Sequence, residues 1–188
     1  MSDLRYPIGR FEWAGPRNTP AERKKFIKEI EQAPAKLRAA VAGLSGKQLQ
    51  TPYRPGGWTV WQTVHHVPES HMNSYVRFKL ALTEDRPTIK PYDEAQWAKT
   101  GEVANTNIEV SLALLEALHQ RWVRLLRSLS KEDFSRVFVH PELGEVSLDR
   151  NLALYAWHGK HHTAHITELR KRMGWGKAQG SRRKAKRR

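Results

Sequence analysis

The chain has 188 residues, which fits one domain with a short appendage, and its 33 Lys and Arg against 19 Asp and Glu give a net charge of +14. Half of that excess lies in the sequence GKAQGSRRKAKRR from Gly176 to Arg188, so the body is only moderately basic. The absence of Cys excludes disulfides, a thiolate nucleophile and zinc sites with Cys ligands. Because no signal peptide and no apolar run of roughly 18 residues is present, we expect a cytoplasmic protein without membrane contact.

Two helices with strong start signals occupy the N-terminal half of the chain. Thr19–Glu22 combines a capping Thr, a Pro in the first turn and a reciprocal Glu, and apolar residues then step by three and four toward Gly43. Thr59–Gln62 is a second capping sequence before another apolar stripe. Pro34 and Pro68 lie inside these helices and should bend them.

The C-terminal half contains two more amphipathic helices. A long connection, Asp85–Asp93, precedes the third helix and has the length typical of a binding loop. Thr106–Glu109 is the predicted start of that helix, and residues 130–146 are predicted to be irregular. Ser147 should cap the fourth helix, which we expect to end at Gly174.

Four long amphipathic helices without a strong strand pattern predict an all-α fold, a four-helix bundle with long connecting loops. Residues 1–175 would form a single domain, and residues 176–188 would be a disordered, flexible basic tail. The connection between the second and third helices is long enough to permit a crossover in place of strict up-down order.

The histidines carry the first functional signal. His161 and His165 are four residues apart, so both project from one helix face and could share a divalent ion. His158 lies on the same line, whereas His162 falls in the apolar stripe, where a packed core histidine is the expectation. Seven of the nine histidines belong to two short segments: His65, His66, His71, His158, His161, His162 and His165.

A third protein ligand would have to come from the second helix. Helical phase turns His65 away from the apolar face, places His66 at its edge and places His71 on it. Phase alone therefore leaves both His66 and His71 open. A single pair with this spacing also arises by chance, but a second cluster on another long helix favours a metal site.

Longer motifs extend this pattern to most of the chain. They are RYPIG from Arg5, RPGGWTVWQTVHHVPESH and its continuation from Arg54 to Glu94, SLALLEALHQRWVRLL from Ser111, and YAWHGKHHTAHITELRKRMGW from Tyr155. Over residues 5–175 the sequence resembles the DinB/YfiT-like superfamily, specifically its YfiT branch. The resemblance implies a four-helix metalloprotein, a homodimer, and one divalent ion per chain, zinc or nickel, on three histidines.

The resemblance also implies a ligand set and an activity. The second His of the HH pair corresponds to His66, and the first and last His of HHxAH correspond to His161 and His165. The implied function is a metal-dependent hydrolase in which the ion activates water for attack on a small-molecule substrate. Where the family commonly has HHLADSH this chain has HHVPESH, so Pro68 removes a backbone donor near the site and Glu69 replaces an acid one carbon shorter. Glu69 is the acid nearest in sequence to an implied ligand, which makes it a candidate base or a hydrogen-bond partner of a ligand. A solvated helix charge is the alternative interpretation of Glu69.

Two other functions remain open at the sequence level. A metal on three imidazoles can equally bind a thiol, which would make the protein a low-molecular-weight thiol S-transferase like related bacillithiol-dependent bundles. The basic tail could bind nucleic acid without enzymatic activity, although it lacks aromatic residues for base stacking and the body lacks a recognition motif. Tyr92, Asp93 and Trp97 could contact substrate or simply pack as part of a lid.

Overall fold

The computed structural model describes residues 3–176, and the predicted basic tail lies outside that range apart from Gly176. Four long helices and several short elements make up the described part. In chain order the elements are α1 (Pro20–Val41), α2 (Gly46–Leu49), α3 (Val60–Thr83), α4 (Glu94–Trp97), α5 (Gly101–Asn105), α6 (Ile108–Ser128), a 3-10 turn (Asp133–Ser135), β1 (Val137–His140), β2 (Gly144–Ser147) and α7 (Leu148–Arg172). The predicted four-helix bundle is confirmed.

The capping residues begin three of the long helices as predicted. The side chains of Thr19, Thr59 and Ser147 each accept a hydrogen bond from the backbone N–H three residues later, at 3.1–3.2 Å. The third long helix, α6, begins within the predicted segment Thr106–Glu109, and its cap is the side chain of Asn107. Helix α7 ends at Arg172, and Gly174, two residues later, has a φ of 66°, a backbone conformation that favours glycine.

Helices that follow one another in sequence are not always neighbours in this bundle. Helix α1 packs mainly against α7 and α6, and α3 packs mainly against α6 and α7. Helices α1 and α3 therefore occupy opposite corners, as do α6 and α7. The connection between α3 and α6, where the sequence would permit a crossover, instead joins neighbouring helices. Residues 42–59 and 129–147 are the connections that cross the bundle diagonally.

The segment predicted to be irregular contains a short hairpin. Strands β1 and β2 pair antiparallel, with the buried Phe138 opposite the buried Val146. The long connection before α4 joins this hairpin, since the Ile89 N–H donates to the Val139 carbonyl at 3.0 Å. Strands of four residues are too short to give a clear alternating pattern, and their stability depends on packing against the bundle.

Two apolar clusters form the core, one near each end of the bundle. The first includes Ile30, Phe78, Trp122, Leu126, Leu148 and Leu152, and the second includes Leu37, Val64, Val67, Leu112, Leu115 and Ile166. Polar side chains separate the two clusters along α3, α6 and α7. No helix in residues 3–176 is both long enough and apolar enough to cross a membrane.

Candidate metal centre

A layer of histidines crosses the middle of the bundle between the two apolar clusters. The buried side chains of His66 and His71 come from α3, His119 comes from α6, and His162 comes from α7. Burying imidazoles where apolar side chains would pack more favourably requires compensating hydrogen bonds or a bound ligand. The layer is therefore a candidate functional site.

Three of these histidines converge on one point. One ring nitrogen from each of His66, His158 and His162 lies within 4.8 Å of the other two, the one such group of His and acidic side chains found in residues 3–176. His158 and His162 are four residues apart on α7, so their rings lie one helical turn apart on the face toward α3. His66 completes the group from α3. His66 and His162 are buried, and His158 is partly buried.

The protonation state of the three rings suits metal binding. Burial, with a smaller contribution from the charge of His161, lowers the pKa of His66 to about 4. Burial also lowers the pKa of His158 and of His162 well below 6.5, and the neighbouring histidines add to the effect. All three imidazoles are therefore neutral near pH 7, which is the form that coordinates a metal ion.

Unpaired polar atoms accompany the cluster. The Nδ1 atoms of His66 and His162 are buried and have no hydrogen-bond partner, and the same holds for Nδ1 of His161 and His165. The hydroxyl of Tyr92 is also buried without a partner, and burial raises the pKa of this phenol. Buried polar groups in proteins are nearly always paired, so an excess of unpaired ones among the histidines of α3 and α7 fits a site for a ligand.

Hydroxyl groups and an indole ring surround the three histidines. The Ser70 hydroxyl lies 3.4 Å from Nε2 of His158 and 3.3 Å from the Tyr155 hydroxyl. On the other side the ring of Trp58 lies against His66, with ring centroids 4.6 Å apart. Trp58 follows a tight loop in which a Cβ at Gly57 would lie 2.7 Å from the Arg54 side chain, so the close approach requires glycine.

His161 and His165 have a different environment. Their ring centroids are 4.3 Å apart, but neither forms a group of three ligand atoms with His66. His161 stacks on Trp157 at 4.3 Å, and His165 stacks on Tyr53 at 3.9 Å. Nε2 of His165 donates a hydrogen bond to the Arg5 carbonyl at 3.1 Å.

The segment before α1 covers this second pair. From Arg5 to Asn18 it runs antiparallel to α7: Tyr6 lies near His161, Phe11 lies near Trp157, and Asn18 hydrogen-bonds to Asp149. His161 and His165 therefore face the N-terminal segment, whereas His158 and His162 face α3.

The other candidate residues of α3 divide by their contacts. His65 points away from the cluster, and its Nδ1 lies 2.7 Å from the Ser111 hydroxyl. His71 is fully buried and hydrogen-bonds to His119 and His158. Glu69 is half-buried, and burial is the main cause that raises the pKa of its carboxyl.

The loop residues pack together at the start of α4. Rings of Tyr92 and Trp97 lie 4.4 Å apart, and Asp93 caps α4 by accepting a hydrogen bond from the Gln96 N–H at 3.0 Å. Tyr92 is the member of this group that also approaches the site, because Ser70 and Glu69 both influence the pKa of its phenol. Trp97 and Asp93 have structural contacts that explain them.

The histidine layer contains residues to which the sequence analysis gave no ligand role. His162 is predicted to be a packed core histidine, and the structure buries it in the bundle interior, where the histidine group lies. His158 and His162 have the same spacing of four as His161 and His165, so this signal was present in the sequence. His119 and Ser70 gave no comparable signal, because each lies alone among unrelated residues.

Comparison with known proteins assigns the family. The family model of the DinB superfamily matches residues 29–166. The chain belongs to the DinB superfamily. A protein of Bacillus cereus (strain 03BB102), named as a proposed metal-dependent hydrolase, is 57% identical over 175 residues, which cover 93% of this chain and all of the relative. A relative from Bacillus thuringiensis subsp. konkukian (strain 97-27) has the same proposed activity, identity and coverage.

One solved structure agrees with this family membership, and a second matches the fold. YfiT from Bacillus subtilis, described as a probable metal-dependent hydrolase with an unusual four-helix bundle topology, superimposes with a TM-score of 0.89. It is 49% identical, and the match covers 92% of this chain and 99% of YfiT. A second four-helix bundle protein, 18% identical, matches with a TM-score of 0.56 over 78% of this chain and 98% of its own length, which supports the fold alone.

Proposed function

We propose that this protein is a metal-dependent hydrolase of a small-molecule substrate, with one divalent ion, zinc or nickel, coordinated by His66, His158 and His162. The observation that carries the proposal is the convergence of three ring nitrogens within 4.8 Å in a polar layer of the core. The relatives named as metal-dependent hydrolases support the same class of activity.

The donor set fits such an ion. Imidazole is a favourable ligand for both zinc and nickel, and three neutral imidazoles leave the positive charge of the ion uncompensated. Catalytic zinc sites typically use three protein ligands and keep a further position open.

An ion bound there would supply Lewis-acid polarisation of a substrate oxygen and would lower the pKa of water. Glu69 lies three residues after His66, so the two side chains share one side of α3. Its raised carboxyl pKa brings it closer to the operating pH, as a general base requires. In this proposal Glu69 accepts the proton that the attacking water loses and returns it to the leaving group.

A phenol, a serine hydroxyl and an indole would position the substrate. The unpaired Tyr92 hydroxyl can donate a hydrogen bond to a substrate oxygen, and the Ser70 hydroxyl is held near the site by Tyr155. Trp58 supplies an apolar wall beside His66. A small molecule with a polar group at the reacting end and an apolar remainder matches these contacts.

The ligand set that the sequence predicted, His66 with His161 and His165, shares one member with the proposed set. His165 stacks on Tyr53 and hydrogen-bonds to the Arg5 carbonyl, but Nδ1 of His161 and Nδ1 of His165 are buried without a partner, so each ring keeps a nitrogen available as a ligand. The assignment of His161 and His165 as ligands stays a prediction, and the experiments below separate the two sets.

The first test is metal content. Protein purified without chelator should contain about one divalent ion per chain by elemental analysis, and His66→Ala should contain almost none. His65→Ala is the matched control, because His65 is an equally buried neighbour that hydrogen-bonds to Ser111 instead. A parent protein without metal after equilibration with zinc and nickel would refute the proposal.

The second test separates hydrolysis from thiol transfer. Turnover of a panel of esters, amides and electrophilic substrates would be measured with and without low-molecular-weight thiols. The proposal predicts turnover without thiol, and Glu69→Gln should lower kcat by about 100-fold, the contribution typical of a general base. Turnover that depends strictly on a thiol would favour the S-transferase instead.

A further inference from the structure

A cavity of about 670 Å³ lies between α1 and α6. This side of the bundle is opposite the contact between α3 and α7, where the three histidines converge. The floor of the cavity is apolar and consists of two half-buried and two buried side chains, Ile27 and Leu129, and Leu126 and Phe134. All four belong to the first apolar cluster of the core or pack against it. Both the volume and the floor suit a small molecule with an apolar part.

Lysine side chains surround this apolar floor. Lys24 and Lys28 lie one turn apart on α1, and Lys131 follows α6 on the other side of the cavity. Within residues 3–176 none of these three ammonium groups forms a salt bridge. Like charges at positions i and i+4 of a helix repel each other. The cavity therefore presents positive charge that no acidic side chain of the described residues neutralises.

The other charged groups at the cavity are paired. Arg23 is buried in a salt bridge with Asp149, and its guanidinium carbon lies 4.8 Å from the centre of the Phe134 ring. The carboxylate that lines the cavity is Glu31, which accepts a hydrogen bond from Arg127 at 2.8 Å. Because this acid already has an arginine partner, the net charge at the cavity remains strongly positive.

The charge and the apolar floor extend along one direction. Helix α6 runs antiparallel to α1, so Lys131, which follows the end of α6, lies toward Pro20 at the start of α1. The salt bridge between Glu31 and Arg127 marks the other end of the cavity. Helix α1 extends about 16 Å from Pro20 to Glu31, which is similar to the length of an extended dodecanoate chain.

The positive charge argues against two occupants that this chain itself would supply. The segment GKAQGSRRKAKRR from Gly176 to Arg188 is strongly basic, so the lysines at the cavity would repel it. A second copy docked by the same face in a symmetric dimer would bring the lysines of both chains together. An anion with an apolar chain instead complements both the lysines and the floor.

We propose that the cavity between α1 and α6 binds a free long-chain carboxylate, a fatty acid. The hydrocarbon chain lies on the apolar floor between the two helices, and the carboxylate faces Lys24 and Lys131 near the start of α1, with Lys28 alongside. This inference does not depend on the proposed function, because none of the residues that line the cavity belongs to the group of three convergent histidines.

Calorimetric titration of the full chain with fatty acids tests the proposal. Octanoate, decanoate and dodecanoate, each below the concentration at which it forms micelles, should bind with an affinity that rises about 2–4-fold per added methylene, because each one buries further apolar surface. Dodecyltrimethylammonium has the same chain with a cationic head and should not bind. Absence of dodecanoate binding, or equal affinity for the two amphiphiles, would overturn the proposal.

Substitution of the lysines locates the carboxylate. The double variant Lys24→Gln with Lys28→Gln removes two charges from the cavity, and we expect dodecanoate to bind about 10-fold more weakly. Lys25→Gln is the matched control, because Lys25 is equally exposed on α1 but does not line the cavity, and it should stay within about twofold of the parent. Since all three lysines are exposed, thermal unfolding should be unchanged. Equal affinity of the double variant and the control would refute the proposed location.

Two further measurements exclude other places for the acid. His66→Ala should bind dodecanoate as the parent does, because the cavity lies outside the histidine layer, and a loss in that variant would place the acid at the histidines and overturn the inference. Sedimentation with vesicles of equal parts phosphatidylcholine and phosphatidylglycerol should leave the protein in solution. Binding to these vesicles through Lys24 and Lys28 without binding of dodecanoate would identify a membrane surface as the partner and would also overturn the inference.

Discussion

Two pairs of histidines on α7 have the same spacing and opposite surroundings. His158 and His162 face α3 and meet His66, whereas His161 and His165 face the N-terminal segment and stack on aromatic rings. Within each pair the two histidines are four residues apart. The second pair is offset from the first by three residues, which rotates it by about 60° around the helix axis. Spacing alone therefore does not define a metal site, because the residue that completes it lies on another helix.

The hydrogen bonds of the two pairs show the same contrast. Nδ1 of His158 hydrogen-bonds to His71. His71 hydrogen-bonds in turn to His119, which hydrogen-bonds to the Ile30 carbonyl. His165 uses its ring nitrogen to bind the backbone at Arg5. We interpret the first pair as ligands and the second as the attachment point of the N-terminal segment.

Substitution of one histidine in each pair should show the largest difference between the two pairs. His162→Ala removes a proposed ligand, and we expect metal affinity to fall by more than about 100-fold. Loss of a residue that only hydrogen-bonds to a ligand typically costs about 10–100-fold. His161→Ala is the adjacent control and should change affinity only a few-fold. Isothermal titration with zinc and nickel measures both, and a larger loss in His161→Ala would support the ligand set predicted from the sequence.

Removal of the metal should distinguish the pairs through stability. A ligand at 100 times its Kd stabilises the folded state by about 2.7 kcal/mol, which for a chain of this size corresponds to a Tm shift of roughly 5–10 °C. A chelator should therefore lower the Tm of the parent and of His161→Ala. Scanning calorimetry of His162→Ala should show no further loss with chelator, and a parental shift in that variant would argue against His162.

Substitution of His165 should affect the fold more than the metal. His165→Ala loses the hydrogen bond to Arg5 and the stacking on Tyr53, so we expect a loss of about 1–3 kcal/mol in the free energy of unfolding. His165→Phe keeps an aromatic ring for stacking and should lose about 1 kcal/mol. Urea unfolding of the metal-free variants gives these values. We also expect both variants to bind as much metal as the parent.

Acid should destabilise the metal-free protein through its buried histidines. Burial lowers the pKa of His119 to about 4 from 6.5 in the exposed residue. As the pH falls below 6.5 the unfolded chain takes up a proton that the folded protein does not, so stability falls with pH down to about 4. His119→Met lacks this group, and its stability should decline less steeply by up to about 1.4 kcal/mol per pH unit. Urea unfolding at pH 7 and pH 5 checks this; an unchanged slope would contradict the neutral state of His119.

Much of the fold could be predicted because its signals are local. The capping residues Thr19, Thr59 and Ser147 begin the helices that their sequences indicated. His65 points away from the histidine group, as helical phase suggested, whereas phase left His66 and His71 both open. These predictions depend on periodicity and on chemistry within a few residues.

The remaining features depend on contacts between distant segments. The choice between the two pairs on α7 depends on how that helix is rotated toward α3, and sequence spacing does not contain this rotation. The hydrogen bond of His119 reaches the carbonyl of Ile30, 89 residues earlier in the chain, which Pro34 leaves without its helical donor. The short β-hairpin is stabilised by the bundle and by residue Ile89, so its four-residue strands carry little signal of their own.

Anomalous diffraction from a crystal of the metal-loaded protein tests the central claim most directly. We expect the peak for zinc or nickel to lie about 2.0–2.1 Å from one ring nitrogen each of His66, His158 and His162. A peak on His161 and His165 would contradict the account.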